Sequence, residues 1–328
     1  MGNLIKNLHT AKQEKNDEFY TRIETIEKEV FYYSKQFEGK TVFLNADDPE
    51  SSNFFKFFRL NFQSFKLKKI YATHYVEEGN AYMIEVNNVN QFGEVIDAKI
   101  TPLKGNGDFR SPEAIELLKK SDIVVTNPPF SLFREFIAQL IKYNKKFLIL
   151  GNNNAITYND VFRLIKEGKV RLGYNVNRTE EFEVPAHYEF RQANNGRIGE
   201  DGKKYLKVQS ISWFTNLDVD RKHLNYDSLF LFRSYYDDPT AYPKYDNFDA
   251  IEVSKLTDIP FDYEGFMGVP ITFLGKHDPE QFEIIGKMST TQKDEYNFGY
   301  PFINGRKKYA RIIIKNKKPI TKEEYLRG

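Results

Sequence analysis

Short apolar runs alternating with amphipathic stretches lay out the first two thirds of the chain. Ile23, Ile26, Val30 and Tyr33 recur at helical spacing between Arg22 and about Phe37, and Gly39 ends that helix. Thr41-Val42-Phe43-Leu44 is a continuous apolar run of strand length. A small and acidic turn follows it, Asn45 to Asn53, and then an aromatic helix from Phe54 to about Phe62. Lys69 to Thr73 reads as a second strand, and residues 80–100 alternate loosely as a hairpin insert. Ser111 is the N-cap of a helix that carries Pro112 in its first turn and runs to Lys119. Ile123-Val124-Val125 is the next strand, Ser131 to Tyr143 an amphipathic helix, and Lys146 to Leu150 a further strand. Val161 to Lys166 is helical, and Val170 to Val176 and Lys207 to Thr215 close the pattern around a polar loop at 191–204. Strands alternating with helices predict an α/β fold, doubly wound around a mostly parallel sheet.

From about Tyr235 the composition shifts to Tyr, Asp and Pro, as in Tyr242-Pro243-Lys244-Tyr245-Asp246-Asn247. A boundary there gives one domain over 1–234 and a second region, 235–328, packed on it. The second region carries strand-like runs, Gly268 to Leu274, Phe282 to Ile285 and Arg311 to Ile314, flanked by basic residues.

Composition adds exclusions. The chain of 328 residues has 40% hydrophobic content, enough for a core, and no cysteine, so disulfides, thiolate metal sites and a Cys nucleophile are ruled out. The start, Met1 to Lys6, lacks a signal peptide's apolar core and no segment approaches a membrane span, which predicts a cytoplasmic protein. Net charge is only +2, so any nucleic-acid contact rests on local clusters: Lys66, Lys68 and Lys69; Arg306, Lys307, Lys308 and Arg311; Lys315, Lys317 and Lys318. Such clusters also serve as solvated faces. With 29 Phe and 21 Tyr, aromatic surface is plentiful for the core and for stacking on planar ligands.

The strand at 123–125 runs into Asn127-Pro128-Pro129-Phe130. Two prolines cannot continue a sheet ladder, and each restricts its predecessor, so the strand ends in a stiff elbow. Ligands of open α/β sheets bind at this carboxyl edge. The amino group of a nucleobase or amide is a poor nucleophile because its lone pair is delocalised. The Asn127 side-chain oxygen and the Pro128 carbonyl are two fixed acceptors suited to gripping both N–H bonds and aiming that lone pair. Phe130 offers a stacking face worth roughly 1–3 kcal/mol per base. The plain alternative is a Pro-rich turn with Phe130 in the core.

Other candidates carry two readings each. Asp47 and Asp48, after the first strand, suit either a ligand site at a helix N-terminus or an Asx-type cap. Glu77 and Glu78, beyond the second strand, suit a ribose hydroxyl pair or plain exposed loop acids. Asp108 and Phe109 leave a Gly turn where an acid accepts from an adenine amino group and a ring packs on it, or where nothing binds. Asn152, Asn153 and Asn154 lie on the carboxyl edge, where amides read base edges or backbone. Trp213, the only tryptophan, suits a buried core position, the usual outcome, but it also ends a strand near the proposed pocket.

Taken together, the ordered segments resemble the EcoRI-type adenine-N6 DNA modification methyltransferases over nearly the whole chain. The residues carrying the likeness are Asn16 to Thr21, Asp47-Asp48-Pro49, Ser52 to Lys56, Gly107 to Ser111 and Lys119 to Phe133. Downstream they are Ala155 to Tyr158, Thr215 to Asp218, Tyr242 to Asp246, Met267 to Leu274 and Pro279 to Glu283. The resemblance implies S-adenosylmethionine as cofactor, held by Phe19, Tyr20, Thr21, Asn45, Asp47, Asp48, Pro49, Asp108 and Phe109. It implies that Asn127, Pro128, Pro129 and Phe130 hold the target adenine, with no metal. The cofactor half then spans about 16–120, the adenine half about 121–234, and the C-terminal region recognises double-stranded DNA. Asn152, Asn153, Asn154, Trp213, Asn216, Lys307 and Lys308 are the candidate DNA contacts. A restriction endonuclease is the implied functional counterpart, without a stable complex. Two rivals remain at this stage: a protein-glutamine or RNA methyltransferase sharing the elbow, and a catalytically silent DNA-binding protein.

Overall fold

A computed structural model describes residues 20–45, 48–76, 81–190, 195–218 and 233–327. They form two compact units, each discontinuous in sequence. One takes the chain up to Asn153 and from Leu172 to Val219; the other takes Asn154–Arg171 and the chain from Asp220 onward.

The first unit is built on a sheet of β1 (Tyr20–Thr21), β2 (Thr41–Leu44), β3 (Lys69–His74), β4 (Tyr82–Val89), β5 (Val95–Pro102), β6 (Ile123–Thr126), β7 (Lys146–Asn152), β9 (Arg178–Val184), β10 (Gly196–Ile198) and β11 (Lys204–Thr215). A two-residue strand, β8 (Arg171–Leu172), lies where the chain passes between units. The spatial order is β1-β9-β11-β7-β6-β2-β3-β4-β5, with β10 also on β11. Only β7, β6, β2 and β3 run parallel to one another. Their side chains are buried on both faces, which is why these runs read as uninterrupted apolar stretches.

The sheet is therefore mixed, not mostly parallel as the sequence pattern predicted. The hairpin insert pairs with the sheet, Ile70 opposite Val86 and Ala72 opposite Ile84, and a short hairpin connection can only make antiparallel pairs. On the other flank β11 runs antiparallel to β7, β9 to β11 and β1 to β9. Of the stretch 170–176 only Arg171–Leu172 form a strand, the two-residue β8 that pairs with β11. Gly173 is the point of closest approach to the buried Glu29, where a Cβ would overlap the carboxylate. That carboxylate accepts from the backbone N–H of Tyr174 at 2.9 Å and of Asn175 at 2.8 Å, which turns the chain out of the sheet before β9.

Helices α1 (Ile23–Val30), α2 (Asn53–Leu60), α3 (Pro112–Lys120) and α4 (Phe133–Lys142) cover the sheet, α1 continuing as a 3-10 helix over Phe31–Phe37. Ser52 caps α2, its hydroxyl accepting from Phe54 N and Phe55 N. The helix buries Phe54, Phe55, Phe57 and Phe58, each contributing about 1.5–3 kcal/mol by its removal from water. Ser111 caps α3 as expected, with Pro112 in the first turn.

The second unit carries α5 (Asn159–Lys166), α6 (Lys322–Arg327) and strands β12 (Ala250–Glu252), β13 (Phe266–Pro270), β14 (Phe282–Met288), β15 (Phe302–Ile303), β16 (Arg306–Lys307) and β17 (Arg311–Asn316). Four of these form a sheet in the order β12-β13-β17-β14, and β15 pairs with β16 as a hairpin. Lys287 on β14 fastens the discontinuous piece. Its buried ammonium donates to Thr157 O at 2.6 Å and Asn159 Oδ1 at 2.7 Å. Among the described residues no helix is long and apolar enough to cross a membrane.

Candidate active site

The elbow follows β6. Thr126 Oγ1 donates to Asn45 O at 3.1 Å, and Thr73 Oγ1 donates to Asn45 Oδ1 at 3.3 Å. Buried Asn45 thus braces the ends of β2, β3 and β6 together, immediately behind Asn127. Pro128 is buried, and Pro129 accepts from Leu132 N at 2.9 Å as the chain bends through a 3-10 turn into α4.

At this edge lies a cavity of about 360 Å³, within the range of small-ligand sites. Its walls come from separate segments of the first unit: Tyr20 and Thr21, Asn45 and Asp48, Asp108 and Phe109, and Asn127 with Pro128 and Pro129. Nine of the expected cofactor and catalytic residues are thereby brought together. Pro49 and Phe130 do not line the cavity. The Phe130 ring instead meets Phe182 edge-on, centroids 6.4 Å apart. Phe19, Asp47, Glu77 and Glu78, with the Asn16-Asp17-Glu18 segment, lie outside the described residues.

Local chemistry refines several assignments. Asp48 accepts from Ser51 Oγ at 2.9 Å and Glu50 N at 3.1 Å, so it closes its own turn while the N-cap falls to Ser52. Burial, with Asp48 and Glu50 nearby, pushes the neighbouring Tyr82 phenol up to about 12. Asp108 reaches the wall as half of an ion pair: Arg110 donates to it through Nε at 2.9 Å and Nη2 at 2.7 Å. That guanidinium holds the carboxyl below its ordinary value. Phe109 packs edge-to-face on Phe136 at 5.1 Å. Gly107 adopts φ +79°, and a Cβ there would overlap the His74 carbonyl oxygen. Val76 N donates to Asn106 O at 2.9 Å, so this Gly turn is stitched against the end of β3.

The sequence reading missed His74, Tyr75, Asn53 and Phe136 as walls. Position was the available signal for His74 and Tyr75, which stand at the carboxyl end of a central strand. Asn53 donates to Thr21 O at 2.8 Å, tying β1 to the start of α2 across a sequence gap that no local pattern bridges.

Two of the residues expected to contact DNA are engaged within the protein. Trp213 is 1% exposed and packs on Phe54, which makes it a core residue. Asn216 accepts from Phe147 N at 2.9 Å and donates to Lys145 O at 2.8 Å, at the amino end of β7 and so at the opposite edge from the elbow. Asn152 donates to Gln209 O at 3.3 Å, buried Asn153 donates to Asn177 Oδ1 at 2.9 Å, and Asn154 is exposed. Lys307 and Lys308 are exposed, whereas Arg311 is committed to Glu252. In the first basic cluster, Lys66 pairs with Glu38 and Lys69 with Glu85.

A parallel strand core with a ligand-sized cavity at its carboxyl edge, walled by a proline elbow, defines a mixed α/β protein with a methyltransferase-like fold. The family model described as adenine-specific methyltransferase EcoRI matches residues 7–317. The chain is 49% identical over 325 residues to the type II methyltransferase M.EcoRI of Escherichia coli, covering 95% of this chain and 97% of that protein. It is 41% identical over 327 residues to M.MgeORF184P of Mycoplasma genitalium, covering 95% and 99%. It is 39% identical over 322 residues to M.MpnI of Mycoplasma pneumoniae, covering 94% and 98%; both are type II methyltransferases by name. No solved structure matches. The chain belongs to the EcoRI family of adenine-specific methyltransferases.

Proposed function

We propose that this chain methylates N6 of adenine at a specific site in double-stranded DNA, using S-adenosylmethionine, as the cytoplasmic modification enzyme of a restriction-modification system or an orphan relative. A restriction endonuclease of the same specificity is the natural counterpart, without a stable complex. The observation that carries the reading is the shared cavity, walled on one side by Asn127 to Pro129 and on others by Tyr20, Thr21 and Asp108.

The residues present fit the cofactor. Thr21 Oγ1 and His74 Nδ1 are buried atoms of cavity-lining residues with no hydrogen-bond partner among the described residues, which favours a ligand carrying hydroxyl, amino and carboxyl groups. Phe54, Phe109 and Phe136 supply apolar surface for a purine ring. When bound, S-adenosylmethionine supplies an electrophilic methyl carbon. Asn127 Oδ1 and the Pro128 carbonyl accept the two N–H bonds of the target amine and orient its lone pair. The target leaves the helical stack to reach them, since the amine cannot approach a walled cavity while its base stays paired. Phe130 stacks on the extruded base after turning from Phe182. The methylated nitrogen is strongly acidic and loses its proton to solvent, so no dedicated base is needed. In this reading the four parallel strands are the core of a doubly wound fold, and 235–328, with 154–171, recognise DNA.

The direct test supplies labelled S-adenosylmethionine with duplex DNA, RNA and protein. Label in N6-methyladenine of duplex DNA, at a defined sequence, is the expected result. Label confined to RNA or protein would overturn it.

A further inference from the structure

The Tyr242-Pro243-Lys244-Tyr245-Asp246 segment, conspicuous in the sequence, has no part in the cavity. Its surroundings lie in the second unit. Residues 302–307 form the two-residue hairpin β15–β16, in which Ile303 pairs with Arg306. The loop residues Asn304 and Gly305 have φ +51° and +71°, the left-handed pair of a type I′ turn. Both loop amides donate to one carboxylate: Asn304 N to Asp246 Oδ1 at 2.9 Å and Gly305 N to Asp246 Oδ2 at 2.8 Å. Asp246 N in turn donates to Phe302 O at 2.8 Å. Ile303 anchors the hairpin in a core cluster with Tyr245, Ala250, Met288 and Ile313.

The second strand of the hairpin and the residue after it are cationic. Arg306, Lys307 and Lys308 are consecutive and exposed. No carboxylate is paired with any of the three among the described residues, while Arg311 beyond them is absorbed by Glu252. The Lys307 ammonium lies 3.1 Å from the centroid of the Tyr300 ring, which restrains its stem without neutralising it. A rigid, anchored turn thus holds three unpaired positive charges in a row.

We propose that this hairpin is a phosphate-contacting element that seats the DNA backbone through Arg306, Lys307 and Lys308, with Asp246 as its positioning residue. The inference rests on the DNA reading above and names where the duplex is gripped. Lysine ammonium groups are compact point charges that suit phosphates better than the bidentate patterns of base edges, so the contacts fix register without reading sequence.

The test measures binding to duplexes with and without the methylation site from about 50 to 200 mM salt, the range over which phosphate contacts act strongly. For Lys307→Ala/Lys308→Ala the slope of log affinity against log salt should flatten by roughly 0.9 per lost contact, equally for both duplexes. The KM for DNA should rise by the same factor as affinity falls. Asp246→Ala gives the sharper discrimination. Removing a negative charge beside three cations would tighten DNA binding on electrostatics alone, whereas loss of positioning weakens it. Weaker binding by Asp246→Ala, with little further effect in the double-lysine background and partial rescue by Asp246→Asn, supports the proposal. Unchanged slope and affinity in the lysine variant, or tighter binding by Asp246→Ala, overturns it while a methylating wild type leaves the enzyme reading intact. A folded wild-type protein that neither binds nor methylates duplex DNA overturns both.

Discussion

Asn127 sits where a strand end, a proline pair and a ligand-sized cavity coincide. If its amide oxygen holds the target amine, Asn127→Ala should lower the single-turnover rate by about a hundredfold or more, the scale of losing one preorganised polar group at a reacting centre. Cofactor affinity, measured by calorimetry, should stay near wild type, and a wild-type transfer rate would remove Asn127 from the chemistry. Gly107 offers a test of the opposite wall. Alanine there meets both a left-handed φ and the His74 carbonyl, so stability should fall by about 1–3 kcal/mol and cofactor should bind more weakly. Thermal melting with and without cofactor separates the two effects. The elbow was legible at this scale because prolines and amides are chemically loud. Trp213 was not: its place at a strand end suggested the pocket, and only the three-dimensional position of Phe54 shows which face of the strand it occupies.

Elements with apolar runs were readable, and those held by distant charges were not. β2, β6 and the capped α3 emerged close to their observed bounds, since burial and caps are written locally. β9 was missed because Arg178-Thr-Glu-Glu-Phe-Glu-Val184 looks too acidic for a strand. Its charges are answered from elsewhere: Arg22 and Arg197 bind Glu181, and Lys203 binds Glu183. Glu29 ties α1 to the segment before β9, and burial raises its carboxyl above the ordinary value of 4.5, outweighing four stabilising hydrogen bonds. A carboxyl whose folded value is raised binds more protons folded than unfolded, so stability falls as pH rises from about 4.5 through the folded value. Glu29→Gln, which cannot ionise, should show a smaller fall in melting temperature across that window. An identical pH profile in the two proteins would mean that Glu29 does not titrate with folding.

For the whole molecule, the sequence conveyed an α/β core and a later region of different composition, but not the mixed sheet. Strand direction depends on what pairs with what, and the hairpin's choice of β3 as its neighbour leaves no local trace. The cavity's walls all belong to the first unit, and the second has its own buried ion pair, Arg311 with Glu252. Removing one partner of such a pair typically costs about 3–5 kcal/mol. Arg311→Ala should therefore destabilise the second unit and impair DNA binding, while cofactor affinity persists. Parallel loss of both activities in calorimetry and DNA titration would contradict that independence.

The second unit is assembled from two pieces of chain, and on the proposed reading that it recognises DNA this bears on how a new target sequence is acquired. A new C-terminal region spliced on after residue 219 would arrive without α5, and would leave the resident α5 facing a stranger. The resident Thr157 carbonyl and Asn159 amide would then lose the Lys287 ammonium that they hold. Viable exchanges of specificity must move 154–171 together with the C-terminal region, or else proceed by point changes within both. A single breakpoint after residue 219 thus parts the two pieces, whereas one before residue 154 carries both, together with β9 to β11 of the first unit.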